Sequence, residues 1–245
     1  MGHVSGYPFQ EEVENRFKAF GFKTITDQSY RDDSEEKSRS IDLIAIQECQ
    51  TRNSGELQLS LVVETKYLTG DVTVRLRENP KNYEAYFIDR FYPTDLELHL
   101  KGFHFLEQKD VTFSIEEGSD KKRNLFAAVN QSMKALQYLR TRQLLNRGGL
   151  FYPLVVYKGA NIVDQRGLTI SNVLYYQTTE WRDPGTDAIL SRALYVDIIH
   201  ETNLEAYLDM YKKEMDRLLN MVRFYERMQQ KKVEQNRQSR LDDLY

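Results

Sequence analysis

The segment "SLVVETKYL", residues 60–68, carries an apolar run directly into two charged residues, Glu64 and Lys66. The run is typical of a buried β-strand. Because side chains alternate along a strand, Glu64 and Lys66 would share one face and Thr65 would point to the other. A carboxylate and an ammonium group would then lie side by side where a core strand ends.

A second acid lies upstream, in the apolar segment "SIDLIAI", where Asp42 would share a face with Ile44 and Ile46. If the two strands pair, Asp42 and Glu64 meet at one edge of a sheet. Two carboxylates of this kind, completed by water, suit Mg²⁺ or Mn²⁺. A metal there can lower the pKa of a bound water and polarise a phosphoryl oxygen, and Lys66 would stabilise the developing charge. The pattern therefore indicates hydrolysis of phosphodiesters.

The alternative interpretation is that Glu64 and Lys66 form an ordinary exposed strand end, since an acid-x-Lys triplet is common. Other catalytic patterns are weaker in this sequence. The histidines of "HLKGFH" lack the spacing of zinc ligands, no Walker-type phosphate loop is present, and the single cysteine, Cys49, has no recognisable catalytic setting.

Helices and strands that would position these acids follow from the hydrophobic pattern. The predicted opening is one helix and three strands, in the segments "PFQEEVENRFKAFGF", "FKTITDQSY", "SIDLIAIQE" and "LQLSLVVETKYL". Residues 69–123 predict an inserted β-hairpin or small subdomain. An amphipathic helix, "RNLFAAVNQSMKALQYLRTRQLLN", then leads to the buried strand "LFYPLVVYKG" and two further strands.

The chain closes on a long helix, "TNLEAYLDMYKKEMDRLLNMVRFYERM", whose apolar stripe would pack on the domain. A homodimer or a partner protein held through this helix or the 69–123 insertion is the alternative use. We therefore expect an α/β fold, with a central mixed sheet flanked by helices, forming one domain over residues 1–230. Residues 231–245 are polar and predict a fraying tail.

Composition adds a charge map. The 245 residues have a net charge of -3, yet no Asp or Glu occurs between Lys121 and Val163, where eight lysines and arginines fall. The predicted nucleic-acid contacts are Lys121, Lys122, Arg123, Lys134, Arg140 and Arg142. A solvated helix face is the alternative. A lone cysteine fits the cytoplasm, and no apolar run is long enough for a membrane helix.

The order of helix, strand, "SIDLIAI", "LSLVVETKY" and a helix with "AAVNQSMKAL" resembles the PD-(D/E)xK nuclease superfamily, which has the restriction-endonuclease-like fold. The resemblance covers most of the chain in element order, although its motifs are short. It implies that Asp42, Glu64 and Lys66 are catalytic, that Asp42 and Glu64 bind Mg²⁺ or Mn²⁺, and that the substrate is DNA. It further implies a role in defence against foreign DNA.

The sequence departs from the family pattern at two positions. Ile41 stands where the motif has proline, which is a frequent variation. Many members carry a metal-binding glutamate on the first helix, where this chain has Gln10, with Glu11 beside it and Glu14 one turn on. The helix acid is therefore either replaced by an amide or displaced.

Gln131 matches a glutamine often seen near the active site of such proteins, and an ordinary exposed helix residue is the alternative for it. Two other functions stay open: a catalytically inactive module of the same fold that serves binding or assembly, and an RNase with the same site.

Overall fold

The computed structural model of the chain describes residues 7–32, 35–50, 56–81, 103–117, 124–141, 148–182 and 189–242. The helices are α1 (Tyr7–Ala19), α2 (His104–Glu107), α3 (Asn124–Thr141) and α4 (Leu204–Asp242), the last preceded by a short 3₁₀ turn. The strands are β1 (Lys23–Asp32), β2 (Lys37–Gln50), β3 (Glu56–Leu68), β4 (Val72–Glu78), β5 (Asp110–Glu117), β6 (Gly148–Gly159), β7 (Ile162–Asp164), β8 (Thr169–Ile170), β9 (Asn172–Arg182) and β10 (Ile189–His200).

All strands of the described segments join one mixed sheet, in the order β1-β2-β3-β6-β10-β9-β5-β4-β7-β8. The α/β class, the mixed central sheet and the C-terminal helix that the sequence predicts are thus confirmed. Among the described residues, no helix is both long enough and apolar enough to cross a lipid bilayer.

The first half of the sheet is an antiparallel meander of β1, β2 and β3, which follows directly from α1. The chain later returns through α3 to β6, which pairs parallel to β3 so that Glu64 lies opposite Val155 and Lys66 opposite Tyr157. A parallel pair requires a crossover of this length, and α3 provides it. β3 therefore lies between two neighbours, with its charged end inside the sheet rather than at its margin.

Residues of the 69–123 region extend the same sheet. β4 and β5 pair antiparallel, and β5 contacts β9 in parallel through Thr112 and Tyr175. The aromatic segment within 82–102 lies outside the described residues.

Two sides of the sheet carry separate cores. On one side, α1 and α4 cover Leu61 and Val63 of β3. On the other side, α3 packs on Val62, through Ala135, Leu136 and Leu139. Because Glu64 is two residues after Val62, alternation places Glu64 on the α3 side of the sheet.

Helix α4 packs through its first half, where the apolar stripe from Leu204 to Val222 is buried as the sequence predicts. The helix then continues to Asp242, so residues 231–242, which the sequence predicts to fray, are helical. Phe224, Met228 and Val233 on this extension are exposed.

Candidate active site

Glu64 is the most deeply buried acid of the predicted set, with only 1% of its surface exposed. Its Oε2 lies 3.2 Å from Nζ of Lys66, which is two residues further along β3 and on the same face. Its Oε1 is buried without a hydrogen-bond partner. Buried carboxylate oxygens seldom lack a hydrogen-bond partner, so Oε1 of Glu64 is an acceptor that remains available to a ligand.

The pKa of Glu64 is raised from 4.5 to about 7. Burial is the largest cause, and the charge of Asp42 adds to it, whereas Lys66 and the backbone amide of Asp42 act in the opposite direction. The backbone nitrogen of Thr65, the residue next to Glu64, donates to Oδ2 of Asp42 at 2.7 Å, so the two acids share one local environment. The structure therefore brings Asp42, Glu64 and Lys66 together, as strand pairing predicts.

Asp42 is half-buried and is held by a neighbour that the sequence pattern assigns to the opposite face. Its Oδ2 accepts hydrogen bonds from the backbone nitrogen of Thr65 at 2.7 Å and from Oγ1 of Thr65 at 2.8 Å. Its Oδ1 accepts no hydrogen bond from the described residues. Thr65 thus fixes the orientation of Asp42 while one oxygen stays available.

The contact between Asp42 and Thr65 occurs where the β1–β2 ladder is interrupted. The β1–β2 ladder pairs Thr26 with Leu43 and Gln28 with Ile41, but Asp27, opposite Asp42, has a φ of 51° and is unpaired. Ile41 and Leu43 then pack in different cores, although they are only two residues apart. Regular alternation therefore stops at Asp42, and its carboxylate can reach Thr65.

Of the three helix candidates, Gln10 is the one that contacts the site. Its Nε2 donates a hydrogen bond of 2.7 Å to the backbone carbonyl of Asp42. Glu11 is exposed, and Glu14 is bound to Lys18 and Thr24, both at 2.8 Å. The first helix therefore presents an amide, not an acid, to Asp42.

Tyr30 of β1 is a residue of this region that sequence reasoning missed. It is 2% exposed, and its hydroxyl is buried without a hydrogen-bond partner. Burial, followed by the charge of Glu64, raises the pKa of Tyr30, so its hydroxyl stays protonated. No local motif could reveal it, because the tyrosine reaches the neighbourhood of Glu64 only through the pairing of β1, β2 and β3.

Gln131 lines a cleft beside α3, together with Asn130 and Lys134 of the same helix and with Asp32, Glu35 and Arg39. Within the described residues, Gln131 makes no hydrogen bond to Asp42 or Glu64, and its predicted supporting role stays a prediction. Lys134, a predicted nucleic-acid contact, binds the carboxylate of Asp32 at 2.7 Å. Lys121, Lys122, Arg123 and Arg142 lie outside the described residues, and of Arg140 only the helical backbone is described.

A buried ionic cluster occupies the other side of the sheet. The ring of His104 contacts Asp197 and Glu214, both at 3.0 Å. Tyr152 donates to Glu214 at 2.6 Å and Tyr211 donates to Asp197 at 2.8 Å. Burial opposes the charged ring, but the two carboxylates prevail and raise the pKa of His104 to about 10. The cluster fastens α2 and α4 to β6 and β10.

Hard oxygen donors at Asp42 and Glu64, one of them an unsatisfied buried atom, fit a divalent cation such as Mg²⁺. Within the described segments, no three side chains of His, Cys, Asp or Glu are grouped so as to hold a metal. No protein-family model, no curated protein and no solved structure matches this chain. The site is therefore interpreted from its own geometry.

Proposed function

We propose that this protein is a Mg²⁺-dependent nuclease that hydrolyses phosphodiester bonds of DNA. The observation that carries the proposal is the buried Glu64, which has an unsatisfied oxygen, a raised pKa and two charged neighbours, Asp42 and Lys66. Burying an acid against a second acid destabilises the ionised form, and such an arrangement is typical of functional sites.

Each residue has a chemical role in this proposal. Asp42, oriented by Thr65, and Glu64 would hold the cation through carboxylate oxygens. Bound there, Mg²⁺ would supply a water of lowered pKa and polarise the phosphoryl oxygen. Lys66, 3.2 Å from Glu64 and about a quarter exposed, would place its ammonium against the charge that develops on the phosphate.

The topology supports the family resemblance. The chain runs from α1 through β1, β2 and β3 and later through α3 to β6, and the mixed sheet agrees with what the resemblance implies. Asp42 lies on β2, the second strand in this order, and Glu64 and Lys66 lie on β3, the third. The strands extend beyond these residues, so the acids are within the strands and not at their ends.

Supercoiled plasmid incubated with Mg²⁺ tests the proposal. Wild-type protein should nick or linearise the plasmid, and Glu64→Ala and Lys66→Ala should each lose at least about a hundredfold in rate. Glu205→Ala and Lys213→Ala remove the same charges from exposed positions of α4 and should retain the wild-type rate. Equal cleavage by Glu64→Ala and wild type would show that the activity arises elsewhere.

A catalytically inactive module of the same fold is the second candidate function. The amide of Gln10 at the position where many family members carry an acid favours it. Absence of cleavage of single- and double-stranded DNA and RNA under Mg²⁺, Mn²⁺ and other divalent ions would support the module. Cleavage of RNA alone would assign the same residues to an RNase. A role in defence against foreign DNA follows from the family resemblance only and is part of the proposal.

A further inference from the structure

A cleft of about 200 Å³ opens between α3 and the paired ends of β1 and β2. Pockets for whole small molecules usually begin at about 300 Å³, so this one suits a smaller group. Its polar lining consists of Arg39, Lys134, Asn130, Gln131, Asp32 and Glu35. Within the described chain, the side-chain amides of Asn130 and Gln131 make no hydrogen bond, so both side chains remain able to donate to a ligand.

The two acids of the cleft differ in burial. The Asp32 side chain is 2% exposed and lies 2.7 Å from Lys134 and 3.3 Å from Arg39. It is a fixed counter-ion of both cations. Glu35 is 41% exposed, and its carboxylate lies on the outer side of the same two cations. Of these two acids, only Glu35 can move away from the cations without leaving a buried charge unpaired.

The contacts of Glu35 are those that a phosphate would make. Its Oε2 is 2.6 Å from Nη2 of Arg39 and 3.5 Å from Nζ of Lys37, and its Oε1 is 3.7 Å from Nζ of Lys134. Arginine binds carboxylate and phosphate oxygens with the same planar fork. The charges of Arg39, Lys134, Asp32 and Glu35 sum to zero, and displacement of Glu35 would leave a net charge of +1 facing the cleft.

The cleft adjoins the candidate active site. Tyr30 pairs with Arg39 in the β1–β2 ladder and packs in the same core cluster as Val62. Helix α3 lines the cleft and also packs on Val62, which precedes Glu64 by two residues on the same face. The cleft and Glu64 therefore lie on the same side of the sheet, so one bound nucleic-acid strand can contact both.

We infer that Arg39 and Lys134, assisted by the amides of Asn130 and Gln131, bind a backbone phosphate of the nucleic-acid substrate, and that Glu35 occupies this position in the free protein until the phosphate displaces it. The ligand class rests on the proposed function. The site itself rests on the cation geometry and on the difference in burial between Asp32 and Glu35.

Fluorescence anisotropy of a labelled DNA duplex, recorded without divalent cations so that no cleavage occurs, tests the inference. Glu35→Gln removes the competing charge, so the phosphate no longer has to displace a carboxylate and binding should tighten about fivefold at low salt. Glu116→Gln is the matched control, because Glu116 is an exposed acid of β5, 2.8 Å from Arg75, and four strands separate β5 from β2 in the sheet. This control should bind as wild type does.

The cation is tested by the double variant Asp32→Asn/Lys134→Met, which removes both charges of this ion pair and leaves Arg39 with Glu35 as its counter-ion. It should bind about fivefold more weakly, with a salt dependence shallower by about 0.9. Unchanged affinity in Glu35→Gln relative to Glu116→Gln, or no binding by any variant at low salt, would overturn the inference.

The two proposals fail separately. If the wild type cleaves plasmid but Glu35→Gln binds as the control does, the phosphate site is wrong and the nuclease stands. If Glu35→Gln binds more tightly but the wild type cleaves nothing, the nuclease is wrong and the phosphate site stands.

Discussion

Thr65 holds Asp42 through two hydrogen bonds to one oxygen, from its backbone nitrogen at 2.7 Å and from its hydroxyl at 2.8 Å. The residue between the acid and the lysine of the acid-x-Lys triplet is thus a positioning residue. A carboxylate that accepts two hydrogen bonds at Oδ2 has a fixed orientation, and Oδ1 accepts none from the described residues.

Thr65→Val keeps the shape of the side chain and removes the hydroxyl donor. Loss of a hydrogen bond to a charged acceptor should lower the free energy of unfolding by about 1.5–3 kcal/mol. The backbone bond remains, so plasmid cleavage should fall much less than in Asp42→Ala. Urea denaturation and cleavage rates check both expectations. Thr65→Ser, which keeps the hydroxyl, should retain the wild-type rate, and a rate as low as that of Thr65→Val would exclude the hydroxyl as the cause.

Glu64→Gln should abolish cleavage and stabilise the protein at alkaline pH. The pKa of Glu64 is about 7 in the folded protein against an ordinary value of 4.5. Between these values the folded state binds more protons than the unfolded state, so this group lowers stability as pH rises from about 4.5 to 7. The full penalty, about 3 kcal/mol, is then present above pH 7.

The measurement is the difference in free energy of unfolding between Glu64→Gln and wild type at pH 5 and pH 8. Glutamine is neutral at both pH values, so any effect of the altered Lys66 contact in the variant is the same at pH 5 and pH 8. A change in the stability difference between the two pH values therefore reports the ionisation of Glu64. Glu205→Gln in α4 serves as the exposed control. A difference that is the same at both pH values would contradict the burial of an ionising Glu64.

Gln10→Glu would give the first helix the acid that it lacks. The substitution replaces a hydrogen bond to the carbonyl of Asp42 with a charge repulsion, so the metal-free protein should lose about 1–3 kcal/mol of stability. A third carboxylate beside Asp42 should bind Mg²⁺ more tightly, and Mg²⁺ should therefore raise the melting temperature more than in wild type. Thermal denaturation with and without Mg²⁺ is the measurement. Gln10→Ala, which loses the hydrogen bond but adds no charge, should show no such gain.

His104→Gln should destabilise the fold by about 3–5 kcal/mol, because Asp197 and Glu214 would lose the cation between them. The pKa of His104 is raised to about 10 from 6.5, so its stabilisation is complete below pH 6.5 and is lost as pH rises through 10. Urea denaturation from pH 6 to 10 should therefore show a decline in wild type that is reduced in the variant. His200→Gln, at a partly buried turn, is the histidine control.

Local pattern was sufficient for β1, β2, β3, β6, β9 and β10 and for the shared face of Glu64 and Lys66, whereas β4, β7 and β8 were not predicted individually. β3 reads as an apolar run because it is covered on both sides, and Glu64 and Lys66 follow from its alternation. The partnership of Thr65 with Asp42 was not predictable, because it accompanies the left-handed Asp27 and the unpaired position in the β1–β2 ladder opposite Asp42.

Long-range pairing accounts for what else escaped the sequence. The two histidines of "HLKGFH" lack the spacing of metal ligands. The second, His104, has its partners, Asp197 and Glu214, 93 and 110 residues further along the chain. Arg39 and Lys134 face each other across a cleft formed by β2 and α3, which no short window of sequence contains. Tyr30 reaches the neighbourhood of Glu64 across two intervening strand pairings for the same reason.

The two sides of the sheet carry different groups of buried polar residues. On the side of α1 and α4, the ionic cluster around His104 secures the architecture, while the unsatisfied oxygen of Glu64 lies on the side of α3. Substitutions on the α3 side can therefore alter or abolish the proposed activity while the ionic cluster around His104 stays intact. A lineage descended from this chain would be expected to lose Glu64 long before it loses His104.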